Sequence, residues 1–202
     1  MRSNAFENEL YPSLLSIQVL SEFEDVVYLV RRGKFEAVVK LIEEQNINLK
    51  APVRPNGATL VHVAAEFGHM KILEYLMIHG GSKMRMTDSG EWPIHIAARE
   101  GRTEVVKYFV EELGVDVNVE MKDGWTPLTY ASMNGWCSLI EYLNSKGVNL
   151  DHRDKSLRTA VHWAVRCRQA RILKLLIQCN ADMDILDCEE KTPLDIAQET
   201  EA

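Results

Sequence analysis

Four stretches of the chain repeat one pattern: Ala58-Thr-Leu-Val-His-Val-Ala-Ala-Glu-Phe-Gly68, Glu91-Trp-Pro-Ile-His-Ile-Ala-Ala-Arg-Glu-Gly101, Trp125-Thr-Pro-Leu-Thr-Tyr-Ala-Ser-Met-Asn-Gly135 and Arg158-Thr-Ala-Val-His-Trp-Ala-Val-Arg-Cys-Arg168. They begin about 33 residues apart, and a fixed period of that size dictates architecture before local propensity does. A fifth copy opens at Lys191-Thr-Pro-Leu-Asp-Ile-Ala197. A weaker one precedes them, with Val26-Val-Tyr-Leu-Val-Arg-Arg-Gly33 followed by Val38, Leu41 and Ile42.

Each copy runs on into a second apolar segment. Ile72, Leu73, Leu76 and Met77 are matched by Val105, Val106, Phe109 and Val110, by Leu139, Ile140 and Leu143, and by Ile172, Leu173, Leu176 and Ile177. Spacings of one, four and five residues place such side chains on one helical face. Pro93, Pro127 and Pro193 suit the first turn of a helix, where no amide donor is needed. Gly68, Gly101 and Gly135 suit a tight turn between two helices. The second helix closes at Gly80, Gly114 and Gly147, with Asn180 standing in the last full copy. The unit is therefore a helical hairpin, and a single hairpin buries too little to fold alone.

The Thr-Pro-Leu openings at Thr126 and Thr192 and the His-x-Ala-Ala of two other copies make the chain resemble the ankyrin-repeat family over roughly Glu24 to Gln198. The resemblance implies an all-α solenoid of stacked helix-turn-helix units joined by short β-hairpin fingers. Repeats are expected at about 24–53, 54–86, 87–120, 121–153 and 154–186, with a half-repeat at 187–202. Leu14, Leu15, Ile17, Val19 and Leu20 have helical spacing after Pro12-Ser13, so residues 1–23 are read as a leader helix that caps the first repeat. Asp182 to Glu201 is read as a solvated acidic cap at the other end. Leu157 and Arg168 stand where the family has Gly, which puts the finger of that copy in question.

Composition narrows the function. The 202 residues carry 23 Lys and Arg against 30 Asp and Glu, a net charge of -7, which opposes attraction to nucleic acid or anionic lipid. The stretches Leu10 to Ser21 and Gly124 to Ile140 are interrupted by polar residues and cannot span a bilayer, and there is no secretory signal pattern. Cys137, Cys167, Cys179 and Cys188 have no metal-binding spacing, so free thiols and a cytoplasmic setting are expected, with nuclear or cytoskeletal association as variants. His62, His95 and His162 recur a repeat apart, about 8–10 Å, and cannot share an ion that needs ligands at about 2 Å. The family resemblance gives them a structural role in bonding the links, with Trp92 and Thr129 marking two links bonded differently. No Ser-His-Asp order, phosphate loop or paired carboxylates stand out. No enzyme, cofactor or metal is expected.

What remains is recognition. The resemblance implies a concave face formed by the finger residue before each Thr and the exposed end of each first helix. By position these are Ala58, Glu91, Trp125, Arg158 and Lys191, then Glu66 and Phe67, Arg99 and Glu100, Met133 and Asn134, Arg166 and Cys167. Aromatic and Arg side chains dominate binding hot spots, so the expected partner site is Phe67, Arg99, Trp125, Met133, Arg158 and Arg166. From Asp151 to Gln178 seven basic residues face two acidic ones, whereas Cys179 to Ala202 holds eight acidic residues and only Lys191. That strip beside an acidic cap suits a protein partner bearing an acidic segment. The reading is a monomeric, non-enzymatic adaptor. Two alternatives stay open: a component of a larger cytoskeletal or ciliary assembly, and a regulator that masks a transcription factor.

Overall fold

The computed structural model describes residues 23–201, and the proposed leader helix lies outside them. Five pairs of short helices follow one another: α1 (Glu24–Arg31) with α2 (Phe35–Gln45), α3 (Leu60–Phe67) with α4 (Met70–Ile78), α5 (Pro93–Arg99) with α6 (Thr103–Glu111), α7 (Pro127–Asn134) with α8 (Cys137–Ser145), and α9 (Ala160–Arg166) with α10 (Ala170–Gln178). A last helix, α11 (Pro193–Glu201), has no second helix after it among the described residues. Odd-numbered helices pack on the odd-numbered helices of the neighbouring repeats, and even-numbered ones on even-numbered ones.

Helices of 7–11 residues are marginal in isolation, so burial between repeats holds them. Val61, Ala64, Ala97, Val106, Phe109, Leu143, Val161 and Leu176 are wholly buried in one continuous core. Each odd helix from α3 onward starts from a backbone amide bonded to the third helical residue. His62 Nδ1 accepts from the Thr59 amide at 3.1 Å, His95 Nδ1 from Trp92 at 3.2 Å and His162 Nδ1 from Thr159 at 3.1 Å. Thr129 Oγ1 does the same for Thr126, and Asp195 Oδ2 for Thr192. These bonds satisfy donors that a helix start would leave orphaned.

The opposite ring nitrogen reaches into the next link. His95 Nε2 donates to the Val119 carbonyl at 3.0 Å and His162 Nε2 to that of Lys191 at 3.3 Å. His62 Nε2 faces the backbone of Arg85 and Glu91 without closing a bond of good geometry. The two exceptional links do differ. Trp92 donates from its indole to the Glu120 carbonyl, and His152 reaches back to the Gly124 carbonyl where Thr129 is too short to bridge.

The fingers are tight turns, and among the described residues none of them extends into a strand ladder. Their ends are joined by backbone bonds, from Thr87 to Glu91, Met121 to Trp125, Asp154 to Arg158 and Asp187 to Lys191. Their tips are stitched together, since Asp88 donates to Asn56, Lys155 to Asp123 and Cys188 to Ser156. Leu157 and Arg168 do not alter the geometry in their copy. Both adopt the left-handed conformation that glycine takes elsewhere, with φ of 57° and 56°. The cost is local strain of about 1–2 kcal/mol per residue, not a different finger.

Candidate interaction surface

Counting from the N-cap residue just before each odd helix (Thr126 for α7, Thr159 for α9), three positions meet on one side of the stack: the finger residue before it, the fourth residue after it, and the seventh. Trp125, Tyr130 and Trp163 form the centre. The Trp125 ring meets Tyr130 edge-on at 5.3 Å and Trp163 of the next repeat at 4.9 Å. Arg158 and Arg166 flank Trp163, their guanidinium carbons 5.7 Å and 5.9 Å from its ring. Guanidinium groups at that range are attracted by an aromatic face.

Two ionic supports hold the cluster from either side. On one side the buried Glu91 accepts from Arg99 at 2.7 Å, from the Tyr130 hydroxyl at 2.9 Å and from Ser89 at 3.0 Å. Arg99 also bonds Glu100 at 3.1 Å; burial alone would lower its pKa, but the Glu100 and Glu91 carboxylates outweigh burial and raise it. Burial, reinforced by Glu91, pushes the Tyr130 hydroxyl well above its ordinary range. On the other side Arg158 bonds Asp187 at 3.1 Å and Glu189 at 2.9 Å, with only 12% of its side chain exposed. Burial opposes ionisation of Asp187, but amides of Glu189 and Lys191 together with Arg158 hold it below the usual carboxylate range. Asp154 fixes Trp163, accepting its indole N–H at 2.9 Å.

Of the six residues expected from sequence, Trp125, Arg158 and Arg166 converge on Trp163, and Arg99 joins them through Glu91 and Tyr130. Phe67 stands apart, half-buried, stacked on His69 with Arg31 5.4 Å above its ring. Met133 is half-buried, and its carbonyl accepts from Gln169. The basic strip is not free to meet a partner as a whole. Arg158 is taken by Asp187 and Glu189 of the neighbouring acidic segment, and within that segment Lys191 bonds Glu189 and Glu199. Arg166 stays exposed. Tyr130 and Trp163 were missed, although both stand where Val63 and Ile96 stand in other copies, and that substitution of aliphatic by aromatic was visible.

The family model for ankyrin repeats (3 copies) matches residues 26–121 and 113–187. The chain belongs to the ankyrin-repeat family, whose repeats generally mediate protein–protein interactions. It is 34% identical over 106 residues to alpha-latroinsectotoxin-Lt1a of Latrodectus tredecimguttatus, covering 52% of this chain and 7% of that protein. Over 161 residues it is 24% identical to neurogenic locus notch homolog protein 1 of Homo sapiens, covering 80% of this chain and 6% of the relative. Over 149 residues it is 27% identical to palmitoyltransferase AKR1 of Lachancea kluyveri, covering 72% and 20%. The chain thus spans a fifth or less of each of these relatives. No helix among the described residues is long and apolar enough to cross a membrane.

Proposed function

We propose that the chain is a non-enzymatic binding module that grips a partner protein across the concave side of the stack, centred on Trp125, Trp163 and Arg166. Phe67 and Met133 extend the contact along the row, and Arg99 and Arg158 act chiefly as braces. The observation that carries this reading is the Trp125–Trp163 pair, half-buried, pre-positioned and flanked by the exposed Arg166. Rigid aromatic anchors beside an arginine lose little freedom on binding and match the composition of hot spots.

With Arg158 already paired to Asp187 and Glu189, an acidic partner segment on the concave side would be read at the exposed Arg166. The test compares proteins captured from cell lysate by the wild-type chain and by a Trp125→Ala/Arg166→Glu variant, followed by titration of each purified candidate. A genuine partner binds at least about tenfold more weakly to the variant, a loss of about 1.4 kcal/mol or more. Equal affinity for both would end the concave-site reading.

A further inference from the structure

Four unlike side chains do one job along the turns between the paired helices. His69 Nε2 donates to the Arg31 carbonyl at 3.1 Å, Arg102 Nε to Glu66 at 2.9 Å, Trp136 Nε1 to Arg99 at 2.8 Å and Gln169 Nε2 to Met133 at 2.9 Å. In every case the N–H donor stands just before an even-numbered helix. It caps the end of the preceding repeat's odd-numbered helix, where carbonyls lack an internal partner. The side chains lie across the preceding turns: a Cβ at Gly33 would meet the His69 ring at 2.7 Å, one at Gly68 the Arg102 side chain at 3.0 Å and one at Gly101 the Trp136 ring at 2.5 Å. This edge of the stack is therefore built from side chains already held in place.

In the first three repeats the same edge, formed by residues 31–36, 66–71 and 99–104, is basic. Arg31, Arg32, Lys34, Lys71 and Arg102 are exposed there, and none of them forms an ion pair among the described residues. Of the four carboxylates on these turns three are engaged: Glu66 with Arg54 at 2.6 Å, Glu100 with Arg99 at 3.1 Å and Glu104 with Lys107 at 2.8 Å. Glu36 has no cation partner among the described residues. Five unpaired cations thus face one unpaired carboxylate, on a chain whose net charge is -7. The nearest further carboxylates lie off the edge. Glu24 and Asp25 are at the opposite end of α1, and Glu74 stands near Tyr108 of the next even helix.

An aromatic floor lies between the cations. The Arg31 guanidinium carbon is 5.4 Å from the Phe67 ring, and Phe67 is stacked on His69 with centroids 6.3 Å apart. Arg102 lies over Gly68, the residue after Phe67. Its Nε bonds the Glu66 carbonyl, whereas its two terminal nitrogens have no acceptor among the described residues. Arg31, Phe67 and Arg102 belong to successive repeats, and packed helices are about 8–10 Å apart. An extended chain covers that distance in about three residues.

We propose that the turn edge of the first three repeats binds an extended acidic segment of a partner protein. One carboxylate meets Arg31 and Arg32, an apolar side chain about three residues later lies on Phe67 and His69, and a second carboxylate about three residues beyond meets Arg102. Guanidinium groups offer forked donors that fit a carboxylate, and Lys34 and Lys71 add attraction at longer range. Anchoring of Arg31 on Phe67 and of Arg102 on Glu66 lowers the cost of ordering them. The net charge of -7 and the carboxylates on the same turns oppose a nucleic-acid strand. This surface shares only Phe67 with the concave row and does not depend on Trp125 or Trp163.

The probe is the peptide Glu-Glu-Ser-Leu-Ser-Glu-Glu, titrated into the isotope-labelled full chain at low salt and followed by amide chemical shifts. Saturable shifts should appear at residues 31–34, 67–71 and 101–103. Arg31→Glu/Arg32→Glu and Arg102→Glu should each weaken binding at least about tenfold, and Trp125→Ala should leave it unchanged. Lys155→Glu/Lys174→Glu makes the same change in net charge elsewhere and should leave affinity within about twofold. The rearranged peptide Leu-Glu-Glu-Ser-Ser-Glu-Glu should bind a few-fold more weakly. No saturable shift by about 1 mM overturns the proposal, as does equal affinity for the wild type and both arginine variants. An equal loss in Lys155→Glu/Lys174→Glu overturns it too, since net charge alone would then set the binding. Equal binding of the rearranged peptide removes the register, and displacement by a tighter-binding single-stranded oligonucleotide replaces the occupant; either result also overturns it. Arg31 and Arg32 are exposed, so their variant keeps the test valid even where Arg102→Glu loosens the turn.

Discussion

Mild acid should loosen this stack through the histidines that link its repeats. Burial lowers the pKa of both His62 and His95 from 6.5 to about 4, and it lowers His162 in the same direction. Glu91 lies near both rings and pulls the other way, while Arg54 adds to the depression at His62. Because the folded-state values lie below the unfolded one, the unfolded chain takes up protons first. The stabilisation is present above about 6.5 and is lost as pH falls toward 4. For a group titrating at 6.5 unfolded and about 4 folded, the loss between about pH 7 and about pH 5 is roughly 1.8 kcal/mol. Two such groups give about 3.5 kcal/mol, a large part of a total stability of about 5–15 kcal/mol. Carboxylates with lowered values, such as Asp187, lose their contribution only below their ordinary 3.8, so the histidine window is clean.

The assay is denaturant unfolding followed by helical circular dichroism at the two pH values, on the wild type and on a His62→Thr/His95→Thr variant. Threonine already serves at this place in α7, where Thr129 accepts from the Thr126 amide, so the variant removes the titration and keeps an acceptor. The wild type should lose about 3–4 kcal/mol and the variant much less. A wild-type loss under about 1 kcal/mol, or an equal loss in the variant, would show that His62 and His95 do not set the acid sensitivity.

Other substitutions probe separate parts of the stack. Leu157→Gly relieves a left-handed φ of 57° at a half-exposed site and should raise stability by about 0.5–1 kcal/mol, seen as a rise of a few degrees in Tm. Trp136→Phe keeps the ring over Gly101 but deletes the N–H that caps Arg99, and should cost about 1 kcal/mol in denaturant unfolding. Arg158→Ala leaves Asp187, with a side chain 1% exposed, facing only backbone donors; a loss of about 2–3 kcal/mol is expected, and most of it should return in Arg158→Ala/Asp187→Asn.

The period, the Thr-Pro-Leu openings and the recurring histidine carried the helix pairs and the histidine bonds, because those depend on residue type at a fixed spacing. The interaction surface was only half legible. Trp125, Arg158 and Arg166 could be placed by position, but alignment treats the residue four past the helix start as core. It therefore hid Tyr130 and Trp163, whose surroundings depend on the neighbouring repeat. The pairing of Arg158 with Asp187 joins residues in adjacent fingers, and charge counts taken segment by segment could not show that this arginine is already neutralised. The capping row of His69, Arg102, Trp136 and Gln169 shares no residue type. It shares only an N–H reaching one carbonyl, which conservation of identity within the chain cannot reveal.

The most direct measurement is amide hydrogen exchange on the chain alone and with a captured partner bound. A partner held on the concave side should add protection in the fingers and odd-numbered helices across 121–134 and 154–167, with exchange in α2, α4, α6 and α8 unchanged. Protection confined to those even-numbered helices, with the region around Trp125 and Trp163 unaffected, would contradict that placement.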